Sequence, residues 1–203
     1  GFGAPTGIDL PGERGGILRK AETLRPVELA NIAFGQGMTA TPLQLTAAYT
    51  AIANGGKSPT PRVVRRVVDD RGAVVFVPEV KERRVISPAV AAELREMLYG
   101  VTQKGGTADS LSLPGYTFAG KTGTAQKVDP ATRRYSQDMW ASSFVGFAPH
   151  DNPRIVLFVM VDEPQGVHYG GQIAGPVFTE TVGDALRWLG VPPNKAADPA
   201  PAV

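Results

Sequence analysis

Three β-rich runs in the second half of the chain constrain its fold most. They cover residues 116–128, 140–147 and 154–161. Only the turn-forming stretch APHDNP separates the last two runs, and connections this short join antiparallel strands rather than parallel ones. We therefore predict that these runs are antiparallel neighbours in one sheet.

Helix signals flank these runs. Thr41 stands as an N-cap with Gln44 three residues later, so a capping box predicts a helix over 41–53. Ser87 precedes a second helix, and a third is expected over about 175–189. The apolar stripe of the second helix, expected to face a core, consists of Val90, Leu94, Leu98 and Val101.

A β-hairpin is expected earlier in the chain, where two β-rich runs, 62–68 and 73–77, are joined by a turn over 69–72. With 203 residues and 42% hydrophobic residues, the chain suits one domain with a real core. We expect that domain to cover 1–190 and the Pro/Ala-rich tail 191–203 to be disordered.

Composition excludes several kinds of function. The chain has no cysteine, which excludes disulfides, thiolate chemistry and cysteine zinc sites, and His150 and His168 are too few for a histidine metal site. We expect no metal and no cofactor. A net charge of +2 forms no basic block, so nucleic acid is not an expected partner. No stretch approaches the roughly 20 apolar residues of a membrane span.

The stretch GYTFAGKTGTA, residues 115–125, matches the phosphate-binding pattern G-x-x-x-x-G-K-[ST]. Downstream, an apolar run ends in Asp162 and Glu163, as a Walker B strand ends in its metal-binding acid. A P-loop, however, needs a helix that begins at Thr122, and Gly123 opposes that helix while YTFA suits a strand. We therefore interpret 115–125 as part of a strand and the two carboxylates as solvated groups at a strand end.

On a strand, the KTG triplet acquires a different chemistry. Lys121 projects to one face, and Thr122 and Thr124 project to the other. Gly123 has no Cβ, so a substrate backbone can approach closely, and the Thr124 N–H can point at a developing oxyanion. The alternative is a solvated lysine on a polar strand. KTG is also one signature of penicillin-binding proteins and β-lactamases.

Further segments occur in the order seen in class B penicillin-binding proteins. They are TGIDLPGE (6–13), NIAFGQG with TPLQL (31–45), GGTA (105–108), AGKTGTAQ (119–126), SFVGFAP (143–149) and YGG with PVF (169–178). The chain resembles the C-terminal half of such a transpeptidase domain, most closely the cell-division type, from residue 1 to about 189.

The resemblance implies an α+β fold of the penicillin-binding protein and serine β-lactamase type, with an antiparallel sheet flanked by helices and the KTG strand as one wall of the cleft. It implies that Lys121 hydrogen-bonds a serine of the middle motif, and that the hydroxyls of Thr122 and Thr124 hold the substrate carboxylate. Tyr169 either lines the pocket for a β-lactam side chain or packs in the core. We interpret His168 as structural or solvent-facing.

The same resemblance implies a peptidoglycan D,D-transpeptidase of septal wall synthesis that cross-links D-Ala-D-Ala stem peptides through a serine acyl-enzyme and is inhibited by β-lactam antibiotics. Its nucleophile and base lie in S-x-x-K, and a second serine lies in S-x-N. No serine of this chain begins either motif, so we expect both to precede it and the chain alone to be inactive. A membrane glycosyltransferase and division proteins are expected partners. The expected location is the periplasmic face of the membrane, with an N-terminal anchor outside this chain.

Two alternatives remain open. One is a β-lactamase or β-lactam sensor of the same fold, which would need a device to hydrolyse the acyl-enzyme. The other is a non-catalytic fragment or binding module.

Overall fold

The structure, a computed structural model, describes residues 1–195 and divides the chain into two compact units, Gly1–Ser87 and Pro88–Val203. The helices are α1 (Pro26–Ala33), α2 (Pro42–Ala53), α3 (Pro88–Gly100) and α4 (Gly170–Trp188). The strands are β1 (Lys57–Pro59), β2 (Val67–Val68), β3 (Val74–Phe76), β4 (Glu82–Arg84), β5 (Ala119–Val128), β6 (Tyr135–Ala148) and β7 (Ile155–Asp162).

Local polar contacts organise the first unit. The predicted capping box of α2 is confirmed: Thr41 Oγ1 accepts from the Gln44 N–H at 3.1 Å, and Gln44 Oε1 accepts from the Thr41 N–H at 2.9 Å. The amide nitrogen of the same glutamine donates to the carbonyls of Ala4 and Gly15 at 2.8 and 2.7 Å. One buried side chain therefore both starts a helix and holds the N-terminal loop.

The predicted hairpin forms, but its first strand is shorter than the β-rich run. β2 pairs with β3 in antiparallel fashion, while β1 pairs with β4. The run 62–66 is not a strand, because the Val63 and Val64 N–H groups donate to the carboxylate of Asp9 at 2.8 and 2.9 Å instead of to a neighbouring strand. A residue more than fifty positions away therefore takes the donors that a strand would use.

The second unit contains the predicted antiparallel sheet in the order β5-β6-β7. Its register aligns Gly123 with Ser143 and Ser143 with Met160. Helix α4 packs on all three strands, and Phe178 from this helix meets the rings of Phe118 and Phe144 with centroids 5.9 and 4.8 Å apart. The core between helix and sheet confirms the α+β prediction of a sheet covered by helices.

Two helix predictions need correction. On α3, Leu94, Leu98 and Val101 of the predicted stripe are half-buried, but Val90 is 42% exposed, and the fully buried position of the first turn is Ala91. Helix α4 begins at Gly170 rather than at Gly175, and it continues through Pro176. Glycine and proline signals hid the first turn, which forms because the Gly170 backbone packs directly against the sheet.

The last described residues attach to the core. Val191 is buried and its carbonyl accepts from the Tyr116 hydroxyl at 2.7 Å, while the Asn194 side chain bonds Thr117. The predicted tail begins at residue 191, whereas these contacts order 191–195; the remaining predicted tail, 196–203, lies outside the described residues. Among the helices described, none combines the length and apolarity needed to cross a membrane.

Candidate functional site

The KTG segment is a strand, as predicted. Lys121 to Gly123 lie in the middle of β5, and β5 pairs with β6 from Ala119 onward. The P-loop interpretation is wrong, because no helix begins at Thr122. β5 lies at one edge of the three-stranded sheet. An edge strand presents alternate N–H and C=O groups away from its neighbour, where an extended peptide can pair with them.

Glycines let the backbones approach closely at this strand. A Cβ on Gly120 would lie 2.6 Å from the Val145 carbonyl oxygen and 2.7 Å from the Phe144 ring. A Cβ on Gly170 would overlap the carbonyl oxygens of Gly123 and Ser143. Helix α4 can therefore begin against β5 and β6 only because its first residue has no side chain.

Both threonines of KTGT contact the start of α4. Thr124 Oγ1 accepts from the Gly170 N–H at 3.1 Å, and a Cβ on Gly171 would lie 3.2 Å from Thr122 Cγ2. Lys121 has no ion-pair partner among the salt bridges of residues 1–195; its Nζ donates to the Thr122 carbonyl at 3.0 Å and to Thr122 Oγ1 at 3.3 Å. One ammonium and two hydroxyls therefore lie close together on β5.

Sequence reasoning missed a third hydroxyl at this site. Thr107 Oγ1 lies 3.1 Å from Thr122 Oγ1. The flanking residues of GGTA explain its placement: Gly106 lies so close to the Val101 carbonyl that a Cβ would overlap it, and Ala108 is buried while its N–H donates to the same carbonyl at 3.0 Å. GGTA is one of the segments of the resemblance, but its residues carry no signal that predicts a contact between Thr107 and Thr122.

Tyr169 lies beside this cluster. It is 59% exposed, so the alternative of a packed core residue is wrong. Its ring tilts against His168 at a centroid distance of 4.8 Å, and His168 stacks on Trp140 at 4.3 Å. The His168 carbonyl accepts from the buried Ser142 hydroxyl, which supports the structural interpretation of His168.

Asp162 and Glu163 are exposed at the end of β7, as predicted, but both are paired. Lys127 donates to Asp162 at 2.9 Å and to Glu163 at 2.6 Å. The hydrogen bond to Glu163, followed by that to Asp162, raises the pKa of Lys127 above its ordinary value. This lysine therefore stays charged throughout the neutral range.

The arrangement around β5 suits a carboxylate. Lys121 supplies a positive charge, the hydroxyls of Thr107, Thr122 and Thr124 supply hydrogen-bond donors, and α4 directs its N-terminal end at Thr124. Helix N-termini and charge-assisted hydrogen bonds both favour anions. As an edge strand of the described sheet, β5 adds backbone groups that can hold an extended chain next to that carboxylate.

Comparison with known proteins gives a consistent result. Residues 1–183 match the family described as penicillin binding protein transpeptidase domain. The chain is 41% identical over 198 residues to stage V sporulation protein D of Bacillus subtilis, covering 96% of this chain and 30% of that protein. It is 37% identical to a probable peptidoglycan D,D-transpeptidase, PenA, of Neisseria meningitidis, covering 96% of this chain and 32% of that protein. The chain thus spans about a third of these curated relatives.

Solved structures agree. The crystal structure of penicillin-binding protein 3 from Mycobacterium tuberculosis complexed with aztreonam has a TM-score of 0.87 at 36% identity, covering 96% of this chain and 45% of that one. The apo transpeptidase domain of Burkholderia pseudomallei penicillin-binding protein 3 has a TM-score of 0.81 at 41% identity, covering 97% and 56%. These matches confirm the predicted fold and the resemblance. The chain belongs to the penicillin-binding protein transpeptidase domain family.

Proposed function

We propose that the chain is the C-terminal part of the transpeptidase domain of a peptidoglycan D,D-transpeptidase, of the type that acts in septal wall synthesis. The observation that carries this proposal is the cluster of Lys121, Thr107, Thr122 and Thr124 on and beside the edge strand β5, at the start of α4. A D-Ala-D-Ala stem peptide ends in a carboxylate on an extended chain, and a β-lactam carries a carboxylate at a comparable position. The cluster and the strand edge match both features.

The reaction needs a serine nucleophile and a lysine base in S-x-x-K, which this sequence lacks and which we assign to the preceding part of the protein. The serine Oγ attacks the carbonyl carbon of the penultimate D-alanine while the lysine takes its proton. The C–N bond to the terminal D-alanine breaks, and that nitrogen leaves with a proton. An acceptor amine from a neighbouring stem peptide then attacks the acyl-serine ester: the new amide C–N bond forms, the ester C–O bond breaks, the amine loses a proton and the serine oxygen regains one.

In that scheme, residues of this chain bind the substrate and orient it. Thr122 and Thr124 donate their hydroxyl hydrogens to the substrate carboxylate, and Lys121 lends positive potential and hydrogen-bonds the serine of S-x-N. A Cβ on Gly123 would overlap the Ser143 hydroxyl of β6, so glycine there lets β5 and β6 pair at this point, and the substrate pairs with the backbone of β5 at its edge. The Thr124 N–H stabilises the oxyanion, and loss of one such donor typically slows acyl transfer by about 100- to 1,000-fold. Tyr169 contacts the part of the ligand that lies beyond the carboxylate.

The cellular location and the partners follow from the proposed activity. Peptidoglycan stem peptides are outside the cytoplasmic membrane, so we place this domain on the periplasmic face, held by an anchor that precedes the chain. A membrane glycosyltransferase that supplies glycan strands and proteins of the division machinery are the proposed partners.

The test is acylation of the complete protein by a fluorescent penicillin. In Thr124→Val, we expect the second-order acylation rate constant to fall by about tenfold to a hundredfold, which corresponds to about 1.5–3 kcal/mol for a hydrogen bond to a charged group. Thr124→Ser is the matched control, because it keeps the oxygen that accepts from the Gly170 N–H. Equal rates in wild type and Thr124→Val would show that Thr124 does not face the ligand.

Nitrocefin and the isolated chain test the alternatives. Slow or absent nitrocefin turnover by an acylated wild type supports a transpeptidase, whereas rapid turnover would identify a β-lactamase.

The 203-residue chain by itself should not be labelled by the fluorescent penicillin, since no serine in it has a lysine at S-x-x-K spacing. Labelling of one of its serines, mapped by mass spectrometry, would contradict the assignment of the nucleophile.

A further inference from the structure

Lys127 ties the two outer strands of the second-unit sheet together. Its Nζ donates to both carboxylate oxygens of Asp162, at 2.9 and 3.0 Å, and to Glu163 Oε1 at 2.6 Å. Lys127 is near the end of β5, and Asp162 is the last residue of β7. Because β6 lies between these strands, the lysine side chain reaches across the middle strand to the point where the chain leaves the sheet.

Glu163 begins the connection from β7 to α4, residues 163–169, in an unusual backbone conformation. Its φ is 52°, in the left-handed region that non-glycine residues rarely adopt. Its N–H donates to the Trp140 carbonyl at 2.8 Å. A backbone bond to β6 and a side-chain bond to Lys127 therefore hold this residue in a conformation that it would not favour alone.

The other end of the β7–α4 connection meets the candidate site. His168 stacks on Trp140, and its carbonyl accepts from Ser142. The next residue is the exposed Tyr169, and the Gly170 N–H donates to Thr124 Oγ1 at 3.1 Å. The connection is thus attached at one end by Lys127 and at the other end by a residue of KTGT.

The exposure of the cluster argues that its role is geometric. The side chains of Lys127, Asp162 and Glu163 are 33%, 57% and 47% exposed, and ion pairs in contact with water contribute little to overall stability. An ion pair still restrains where its partners lie, and two carboxylates on one ammonium restrain both the strand end and the residue after it.

We propose that Lys127 is a positioning residue of the transpeptidase site: it holds the β7–α4 connection against the end of β5 and thereby fixes Tyr169 and the Gly170 N–H relative to Thr124. This inference rests on the proposed function. It assigns to Lys127 an effect mainly on ligand binding, because Tyr169 moves with the connection and is proposed to contact the ligand beyond the carboxylate, whereas Thr124, the proposed oxyanion donor, is held in β5 by its own pairing with β6.

The test uses the complete protein and separates binding from acylation. For a penicillin with a bulky aromatic side chain, Lys127→Met should raise the apparent dissociation constant by about threefold to thirtyfold, the usual range for residues that act through a neighbour. The acylation rate at saturation should change less than about twofold. Lys127→Arg should restore binding, because it keeps the charge and the reach.

Matched variants distinguish positioning from general destabilisation. Lys57→Met removes another exposed ion pair, that with Glu82 at 3.3 Å, and should leave the dissociation constant unchanged. Glu163→Gln combined with Lys127→Met should weaken binding no more than Lys127→Met alone, since Lys127→Met already removes the contact to Glu163. If Lys127→Met does not fold, Glu163→Ala tests the contact between Lys127 and the connection, since it leaves only the ion pair with Asp162.

Hydrogen exchange gives a readout that does not depend on activity. In Lys127→Met, the amides of Glu163 and Gly170 should exchange faster, and Lys127→Arg should restore their protection. Unchanged exchange at both amides would overturn the inference. This measurement does not depend on the proposed function, which would fail separately if the wild type were not acylated. Faster exchange with an unchanged dissociation constant would also overturn it, because the ion pair would then have a structural role only.

Discussion

The two units of the chain are stabilised by different means. In Gly1–Ser87, Ala51 is the one buried apolar side chain among the described residues, whereas Phe34 and Ile17 are 70% and 68% exposed. The unit from Pro88 onward holds a contiguous core. Its fully buried apolar side chains include Phe144, Phe147, Phe178, Val182 and Leu186. The first unit relies on polar contacts between distant loops, and the second relies on apolar burial.

This difference indicates which substitutions each unit tolerates. Removal of an apolar group costs free energy in proportion to the surface that it buried and to the cavity that it leaves, so it acts strongly only where the group lies in a core. Removal of a buried polar group that serves several partners leaves donors and acceptors unsatisfied. The candidate site lies in the apolar unit, where a rigid sheet and helix hold the hydroxyls of Thr122 and Thr124 in place.

The same substitution in both units tests the comparison most strongly. Phe178→Ala should lower the free energy of unfolding of this 203-residue chain by about 3–5 kcal/mol, because it empties space between the rings of Phe118 and Phe144. Phe34→Ala should change it by less than about 0.5 kcal/mol. Urea unfolding measures both, and similar losses would show that the first unit also depends on apolar burial.

Substitutions of Gln44 test whether polar contacts stabilise the first unit. Gln44→Leu should cost about 1–3 kcal/mol, because it leaves the Thr41 N–H and the carbonyls of Ala4 and Gly15 without their partner. Gln44→Glu keeps the acceptor for Thr41 but loses both donated bonds. If urea unfolding finds Gln44→Glu as stable as wild type, the glutamine is only a helix cap.

Asp9 should give the smallest effect, visible as a dependence on pH. The Val63 and Val64 N–H groups lower the pKa of its carboxyl below 3.8. Since the folded pKa is depressed, the stabilisation is present above the unfolded value and is lost as pH falls through the folded pKa. Protection of the Val63 and Val64 amides from exchange should decrease at acidic pH in wild type. Asp9→Asn should show weak protection at every pH; equal pH dependence in both would contradict this role.

Sequence predicted the features that depend on neighbouring residues. The capping box of α2 needs only Thr41 and Gln44, and the strands β5, β6 and β7 follow from runs whose composition and turns are local. The position of Lys121 and both threonines on a strand followed from the same local argument. What these residues touch was not predictable in that way.

The missing information is in interactions between distant positions. Thr107 and Thr122 are 15 positions apart, and Lys127 and Glu163 are 36 apart. Neither pair has a spacing that a helix or a strand would impose. The start of α4 at Gly170 was missed because glycine is unfavourable in an isolated helix, while here the sheet leaves no space for a side chain.

The bonds of Lys121 to its own neighbour make two groups of the site depend on each other. Its ammonium donates to the carbonyl and to the hydroxyl oxygen of Thr122. A hydroxyl that accepts from the ammonium still has its own hydrogen to donate, so Thr122 can hold the ammonium and a ligand carboxylate at the same time. Each of these two bonds polarises the hydroxyl in favour of the other, and by thermodynamic reciprocity each strengthens the other to the same extent. Lysine and threonine therefore act as a cooperative pair, in which occupation of one partner prepares the other.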